Sequence, residues 1–369
     1  MICGSAATGR SGLSGPFERG RRRGMVEGIE VLEFEVGYSN SDSFVKRTAA
    51  FLTFAMRGVQ VALTEPYDLI FSTSTPLTAG IPGICARWLR RKPFVFEVRD
   101  LWPELPKAMG VIRNPIVLWL MSALEWASYR SARSIIGLAP GIVDSIAKQG
   151  VDSERLAMVP NGCDFDVFSD RAGAWRPDGV QQDDFMAVFA GAHGLANGLD
   201  AVLNVAGELR LRNRPDVKIV LIGDGKLKRH LQRRAMSEGL SNVIFHDPVG
   251  KARLSGLFAA TDLGLQILDN IPAFYYGTSP NKFFDYIAAG LPVLVNYPGW
   301  LSELVAEHAC GYSVPPEDPG AFASALIVAA DQRESLRLMG KRAMALARTR
   351  FDRTTLADQF VDWLERSAE

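Results

Sequence analysis

Cysteine is scarce and scattered. The four in 369 residues, Cys3, Cys85, Cys163 and Cys310, include no C-x-x-C pair. That excludes a zinc cluster built on paired thiols and fits a reduced compartment without disulfides. Net charge is missing as well: 41 Lys and Arg balance 41 Asp and Glu, which argues against a broad nucleic-acid surface. No stretch supplies the roughly 20 apolar residues that a membrane-spanning helix needs. The most apolar candidate, residues 115–139, is interrupted by Glu125, Arg130 and Arg133. The opening does not read as a signal peptide, because its apolar run is short and its basic cluster, residues 19–23, follows that run. The expectation is a cytoplasmic protein, with peripheral contact to the cytoplasmic face of the membrane left open.

What is present is enough apolar material, 47% of residues, for two domains or one large one. The most informative stretch is Thr278-Ser-Pro-Asn-Lys-Phe-Phe-Asp-Tyr-Ile-Ala-Ala-Gly-Leu-Pro-Val-Leu-Val-Asn-Tyr297. Pro280 suits the start of a helix, where its missing N–H is not needed. Phe283, Tyr286 and Ile287 recur at three- and four-residue spacing and make an apolar stripe. Gly290 suits the helix end, and Leu291 to Val295 reads as a buried parallel strand. Asn281, Lys282 and Asp285 remain, at a positive helix start where an ammonium and a carboxylate suit a phosphorylated, hydroxyl-bearing ligand. A plain cap with a Lys282–Asp285 ion pair fits the same spacing.

Two glycine-bearing turns follow buried strands. Phe185 to Ala190 leads into Gly191-Ala-His-Gly-Leu-Ala-Asn-Gly198, and Val217 to Ile222 leads into Gly223-Asp-Gly-Lys226. Glycines there let a backbone approach phosphate, although a tight strand-to-helix turn needs them too. The second turn, with Asp247 downstream, also admits an NAD-type oxidoreductase, but the third glycine of that fingerprint would fall at Lys228. In the first half, residues 8–23 read as a basic, Gly-rich loop and Ile29 to Val36 as a half-exposed strand. Residues 43–63 form a long helix, either an ordinary core helix or one lying on an anionic bilayer. Arg99-Asp-Leu-Trp-Pro-Glu104 follows another buried strand and offers Asp100 and Glu104 to an acceptor hydroxyl. Asp164-x-Asp166 has metal-pair spacing, but its Pro-Asn-Gly context reads as a turn.

Ser279 to Leu294 resembles the signature helix of retaining GT-B glycosyltransferases, the family 4 or group 1 type. More narrowly, it resembles the bacterial polysaccharide branch that includes UDP-N-acetylfucosaminyl transferases, as does Arg99 to Glu104. The resemblance runs over almost the whole chain. It implies an α/β fold of two Rossmann-like domains facing across a cleft. Residues 1–165 would be the acceptor side, 166–348 the nucleotide-sugar side and 349–369 a helix crossing back. The implied reaction moves a sugar, an N-acetylated deoxy-hexose, from a nucleoside diphosphate donor (UDP) to a hydroxyl acceptor, with retention and without a metal cofactor. The implied acceptor is polyprenyl-diphosphate-linked, as in O-antigen or capsule synthesis.

Under the resemblance Lys282 and Asp100 are the catalytic candidates. Asp285, Asn281, Ser279, Gly191, His193, Gly194, Gly223, Gly225, Lys226 and Val249 are the donor-binding ones. The chain departs from the family in three places. A leading βα unit is expected to be absent, which keeps an inactive or regulatory nucleotide-sugar-binding protein open. His193 and Asn197 stand where many members have Arg and Lys, so charge must come from elsewhere, with Lys282 the candidate. Gly277 replaces a glutamate eight positions before Asp285.

Overall fold

Short runs of β-branched and aromatic residues, closed by Gly, Asn or Asp, become the strands of three sheets. The computed structural model describes residues 1–5, 11–38, 42–168 and 173–369. It divides into two units.

The first unit comprises Met1–Leu138, Ile142–Val159 and Phe360–Glu369. Here β1 (Ile2–Gly4), β2 (Arg21–Val26) and β3 (Ile29–Phe34) form a sheet in the order β1-β3-β2, with β1 parallel and β2 antiparallel to β3. Then come α1 (Phe44–Thr64), β4 (Ile70–Thr73), α2 (Gly80–Leu89), β5 (Phe94–Val98), α3 (Glu104–Ala108), α4 (Pro115–Ser131), β6 (Ser134–Gly137), α5 (Pro140–Lys148) and β7 (Leu156–Met158). Strands β4 to β7 make a parallel sheet in chain order.

Two expectations change in this unit. The segment expected as a loop contains β2, because Arg22 has a partner across the sheet: it reaches Glu33 at 2.7 Å. Strand β3 is not half-exposed, since Val31 to Phe34 are all buried, Glu33 included. A buried carboxylate is tolerated only when paired, and Glu33 is held by Arg22 and by the Ser11 hydroxyl, which together lower its pKa.

The second unit comprises Ala139–Gly141 and Pro160–Gln359. Its elements begin with α6 (Phe165–Phe168), β8 (Phe185–Ala190), α7 (Asp200–Leu211), β9 (Val217–Ile222), α8 (Lys228–Ser237), β10 (Val243–His246), α9 (Lys251–Ala259) and β11 (Leu263–Gln266). They continue with α10 (Asn281–Ala288), β12 (Val293–Val295), α11 (Trp300–Glu307), β13 (Gly311–Ser313), α12 (Pro319–Asp331), α13 (Arg333–Arg350) and α14 (Arg353–Ala368), whose last residues belong to the first unit. The six strands are parallel, in the order β10-β9-β8-β11-β12-β13. Both faces are covered, which is why Phe185 to Phe189 and Val293 to Val295 are completely buried. The chain builds outward from β8 through β9 to β10, then returns to β8's other side with β11. Ligands bind outside the carboxyl ends of the strands at such a reversal. Among the described residues, no helix is long and apolar enough to cross a membrane.

Candidate active site

Both glycine-bearing turns leave the sheet at this reversal, one after β8 and one after β9. They lie against each other so closely that side chains are excluded: a Cβ on Gly223 would sit 1.9 Å from the Gly191 carbonyl oxygen, and one on Gly225 2.5 Å from that of His193. Backbone bonds lock the pair, with His193 N–H donating to Asp224 O at 2.8 Å and Leu227 N–H to His193 O at 2.9 Å. At Gly194 a Cβ would meet open space, so the outer side of the first turn is free.

Helix α10 enters beside these turns. The apolar stripe Phe283, Tyr286 and Ile287 is fully buried, which fixes the helix on the sheet. The Tyr286 hydroxyl accepts from the Ala190 N–H at 2.8 Å and so ties the helix to the end of β8. Lys282 consequently lies against the first turn. Its Nζ donates to the Asn197 amide oxygen at 2.8 Å and sits 4.4 Å from the centre of the Phe189 ring. Its Cε would lie 3.1 Å from a Cβ on Gly191. Burial pushes its pKa down to about 7. The Asn197 amide in turn donates to Ala192 O at 2.8 Å, so one side chain joins loop and lysine.

The ion pair that the spacing allowed between Lys282 and Asp285 does not form. Asp285 faces another way; its carboxylate makes no hydrogen bond or ion pair among the described residues, and the residue is half-buried. Burial raises its pKa to about 6; Lys251 and Arg353 work against that rise, and Asp164 adds to it. Asp164 is itself occupied, at 2.7 Å from Arg353 and 3.4 Å from Lys251. That is the chemistry of a loop anchor. Among the described residues, no three His, Cys, Asp or Glu side chains are grouped to hold a metal ion.

The other candidates divide. Asn281 is exposed at the start of α10, and Lys226 is exposed in the second turn; neither side chain has a partner among the described residues. Val249 is half-buried just before α9. Ser279 is committed locally: its hydroxyl accepts the Asn161 N–H at 3.2 Å, and its carbonyl accepts from the Asn161 amide. His193 differs from the ligand contact the sequence reading made of it. Its ring is fully buried between Phe189 and Phe245, and both ring nitrogens lack partners among the described residues. Burial and the nearby Lys228 push its pKa down to about 4, so the ring is neutral at physiological pH. Asp100 belongs to the first unit, where the Thr75 hydroxyl donates to it at 3.1 Å and burial raises its pKa.

Sequence reading missed Tyr286 as a positioning residue, because a tyrosine on an apolar stripe reads as core. It also left Lys228 as a mere interruption of a glycine fingerprint. Lys228 is in fact buried, donating to Gly223 O at 2.9 Å and His246 O at 3.2 Å, and pairing with Asp247 at 2.5 Å. The Asp247 carboxylate that a dinucleotide reading would use is thereby paired with the lysine that stands in the third glycine's place.

Residues 6–162 match the model of a glycosyl transferase 4-like domain, and residues 184–332 that of glycosyl transferases group 1. D-inositol 3-phosphate glycosyltransferase 2 of Catenulispora acidiphila is 29% identical over 321 residues, 84% of this chain and 73% of that protein. The chain spans about half the length of other proteins of that name, 52% and 45% in two cases. Among solved structures, Anabaena HepE in complex with UDP superposes with a TM-score of 0.68 at 18% identity, covering 89% of this chain and 85% of that one. Sucrose-phosphate synthase of Thermosynechococcus elongatus reaches 0.73 at 16% identity, covering 95% and 86%. At these identities the structural likeness establishes a two-domain α/β GT-B fold with parallel sheets.

Proposed function

Because the chain belongs to the group 1 glycosyltransferases, we propose that it transfers a sugar from a UDP-sugar to a hydroxyl of a lipid-linked glycan acceptor, with retention and without a metal cofactor. The observation that carries this reading is Lys282, a half-buried ammonium held over the first glycine turn, whose one side-chain hydrogen-bond partner among the described residues is an amide oxygen. A diphosphate leaving group takes on charge as its bond to the sugar's anomeric carbon breaks. Fixed positive charge in a water-poor site stabilises that change without reorganisation. The acceptor oxygen forms the new bond to that carbon, and its proton passes to the departing diphosphate.

In this reading the backbone N–H groups of Ala192 and Gly194 and the N-terminus of α10 join Lys282 at the diphosphate. Asp285 accepts hydrogen bonds from the ribose hydroxyls, Val249 borders the base and Asp100 serves the acceptor. UDP is chosen because HepE, of the same fold, was crystallised with UDP and with UDP-glucose. The N-acetylated deoxy-hexose, the polyprenyl-diphosphate carrier, the polysaccharide pathway and peripheral contact with the cytoplasmic face of the membrane rest on the resemblance of Ser279 to Leu294 and Arg99 to Glu104.

Calorimetric titration of UDP, GDP and NAD into the wild type and Asp285→Ala tests the reading. UDP is expected to bind, and the variant to bind it about tenfold or more weakly, the cost of one hydrogen bond to a charged group. Binding of NAD alone would overturn the reading. Unchanged UDP affinity in the variant would remove Asp285 from the ribose. Activity on a UDP-sugar is expected to survive a chelator.

A further inference from the structure

The first unit holds a second concentration of positive charge, far in sequence from Lys282. Arg87 on α2, Arg130 in the last turn of α4, Arg133 just after it and Arg155 before β7 line a cavity of about 360 Å³, with Ser131 and Ala132 completing the wall. Among the described residues, no carboxylate lines it. Arg155 is occupied, donating to the carbonyls of Tyr129 at 3.1 Å, Arg133 at 3.2 Å and Ala132; a cation completes a helix C-terminus in this way. Arg87, Arg130 and Arg133 are exposed, and their guanidiniums have no hydrogen-bond or ion-pair partner among the described residues. Three uncancelled guanidiniums around one hollow match an anion with several acceptor oxygens, phosphate above all.

The helix that supplies Arg130 keeps an apolar face outside, although Val117, Leu118, Met121 and Leu124 are half-buried. Its buried residues are polar, Glu125, Ser128, Tyr129 and Ser131. Its outward face carries Ile116, Trp119, Leu120 and Trp126, each at least 55% exposed. These recur three, four and seven apart, so they form one stripe, and the stripe runs into Arg130 four residues beyond Trp126. Helix α2 packs on α4 and adds Trp88 and Leu89, also mostly exposed. The Trp88 indole N–H donates at 2.8 Å to Ser131, a wall residue of the arginine cavity. Apolar patches of this kind mark contact surfaces.

We propose that this face of α2 and α4 lies on an anionic phospholipid surface, with a lipid phosphate seated among Arg87, Arg130 and Arg133. The proposal deepens the membrane contact of the proposed function and rests on it. It moves that contact from the α1 segment considered in the sequence to α2 and α4. A soluble phosphate would use the arginines but leave the tryptophan stripe without purpose. Indoles beside guanidiniums match the headgroup layer, where aromatic bodies and cations both gain.

The test is sedimentation of the full chain with phosphatidylcholine vesicles, with and without phosphatidylglycerol. The wild type is expected to bind the anionic vesicles. The triple variant Arg87→Glu, Arg130→Glu, Arg133→Glu should bind them roughly a hundredfold more weakly, at about one kcal/mol per cation. The matching triple lysine variant should retain binding, and Trp119→Ser with Trp126→Ser should lose it. Arg337→Glu with Lys341→Glu and Arg342→Glu, exposed on α13 of the second unit, makes the same change in net charge and should bind normally. Should the triple glutamate variant fail to fold, Arg130→Gln alone carries the test, with a loss of a few-fold.

Wild type that ignores anionic vesicles, or a triple glutamate variant that binds like wild type, would overturn the proposal. So would titration with inorganic phosphate that reveals an Arg130-dependent site while vesicles are ignored, since the occupant would then be a soluble anion. UDP affinity should be the same in all these variants, so failure of the donor-site reading and failure of this one give different results.

Discussion

Lys228 and Lys282 lie on either side of the same pair of glycine turns, the first buried and the second half-buried. Lys228 has spent its donors: two backbone carbonyls and the Asp247 carboxylate surround its Nζ. Lys282 has one amide oxygen and an aromatic face. The first lysine fastens the second turn to the end of β10. The second keeps an ammonium in reserve at the cost of a depressed pKa. Burial alone does not tell a structural cation from a functional one; the count of unspent donors does.

The largest effect that would break this contrast is on ligand affinity. Lys282→Met should weaken UDP binding by up to about a hundredfold, the upper range for a bond to a charged group. Its melting temperature should not fall, because the substitution removes a desolvated charge. Lys228→Met should do the reverse, losing about 2 kcal/mol of stability in urea unfolding because a buried and a part-buried carbonyl are stranded. If Lys228→Met proves as stable as wild type, the structural assignment of that lysine fails.

A subtler effect is in pH. Lys282 is protonated below about 7 and Asp285 ionised above about 6. Affinity for a UDP-sugar, whose diphosphate does not titrate there, should therefore peak between those values. Lys282→Gln should flatten the alkaline limb and Asp285→Asn the acid one. Stability carries the same signature. The folded pKa of Lys282 lies below its unfolded value, so the unfolded chain binds more protons above about pH 7, and stability should rise with pH in that window. Asp285 has the opposite sign: its folded pKa is raised, so its contribution falls as pH climbs from its ordinary value to about 6. The smallest effect belongs to Asp247→Ala. That carboxylate is almost fully exposed, so no measurable change in stability is expected. A clear loss would show that Lys228 depends on its salt bridge more than on the two carbonyls.

The stretch from Pro280 to Val295 was legible because every local signal agrees: a proline start, a stripe at helical spacing, a glycine with positive φ at the helix end, then a β-branched run. The strands Phe185–Ala190 and Val217–Ile222 were legible for the same reason, being unbroken apolar runs closed by glycine. What escaped depends on partners distant in sequence. Glu33 looks like a solvent-facing residue until Arg22 is placed across the sheet from it. His193 looks like an accessible loop residue until two aromatic rings close around it. On α4, Leu118, Met121, Leu124 and Trp126 are all apolar, and periodicity does not say which apolar face turns inward; Trp126 remains 60% exposed. The Lys282–Asp285 pair was equally undecidable, since spacing permits the bond and only the Asn197 loop draws the lysine away.

The Tyr286 hydroxyl, hydrogen-bonded to the backbone at the last residue of β8, has a consequence for how a ligand arrives. It couples the helix that carries Lys282 to the strand that carries the first glycine turn, so the two cannot drift independently. A donor then meets a preformed seat and spends little conformational entropy in assembling one. Its association should be fast and single-phased, with differences among donors appearing in their residence times. Tyr286→Phe would leave the packing in place and loosen that coupling alone.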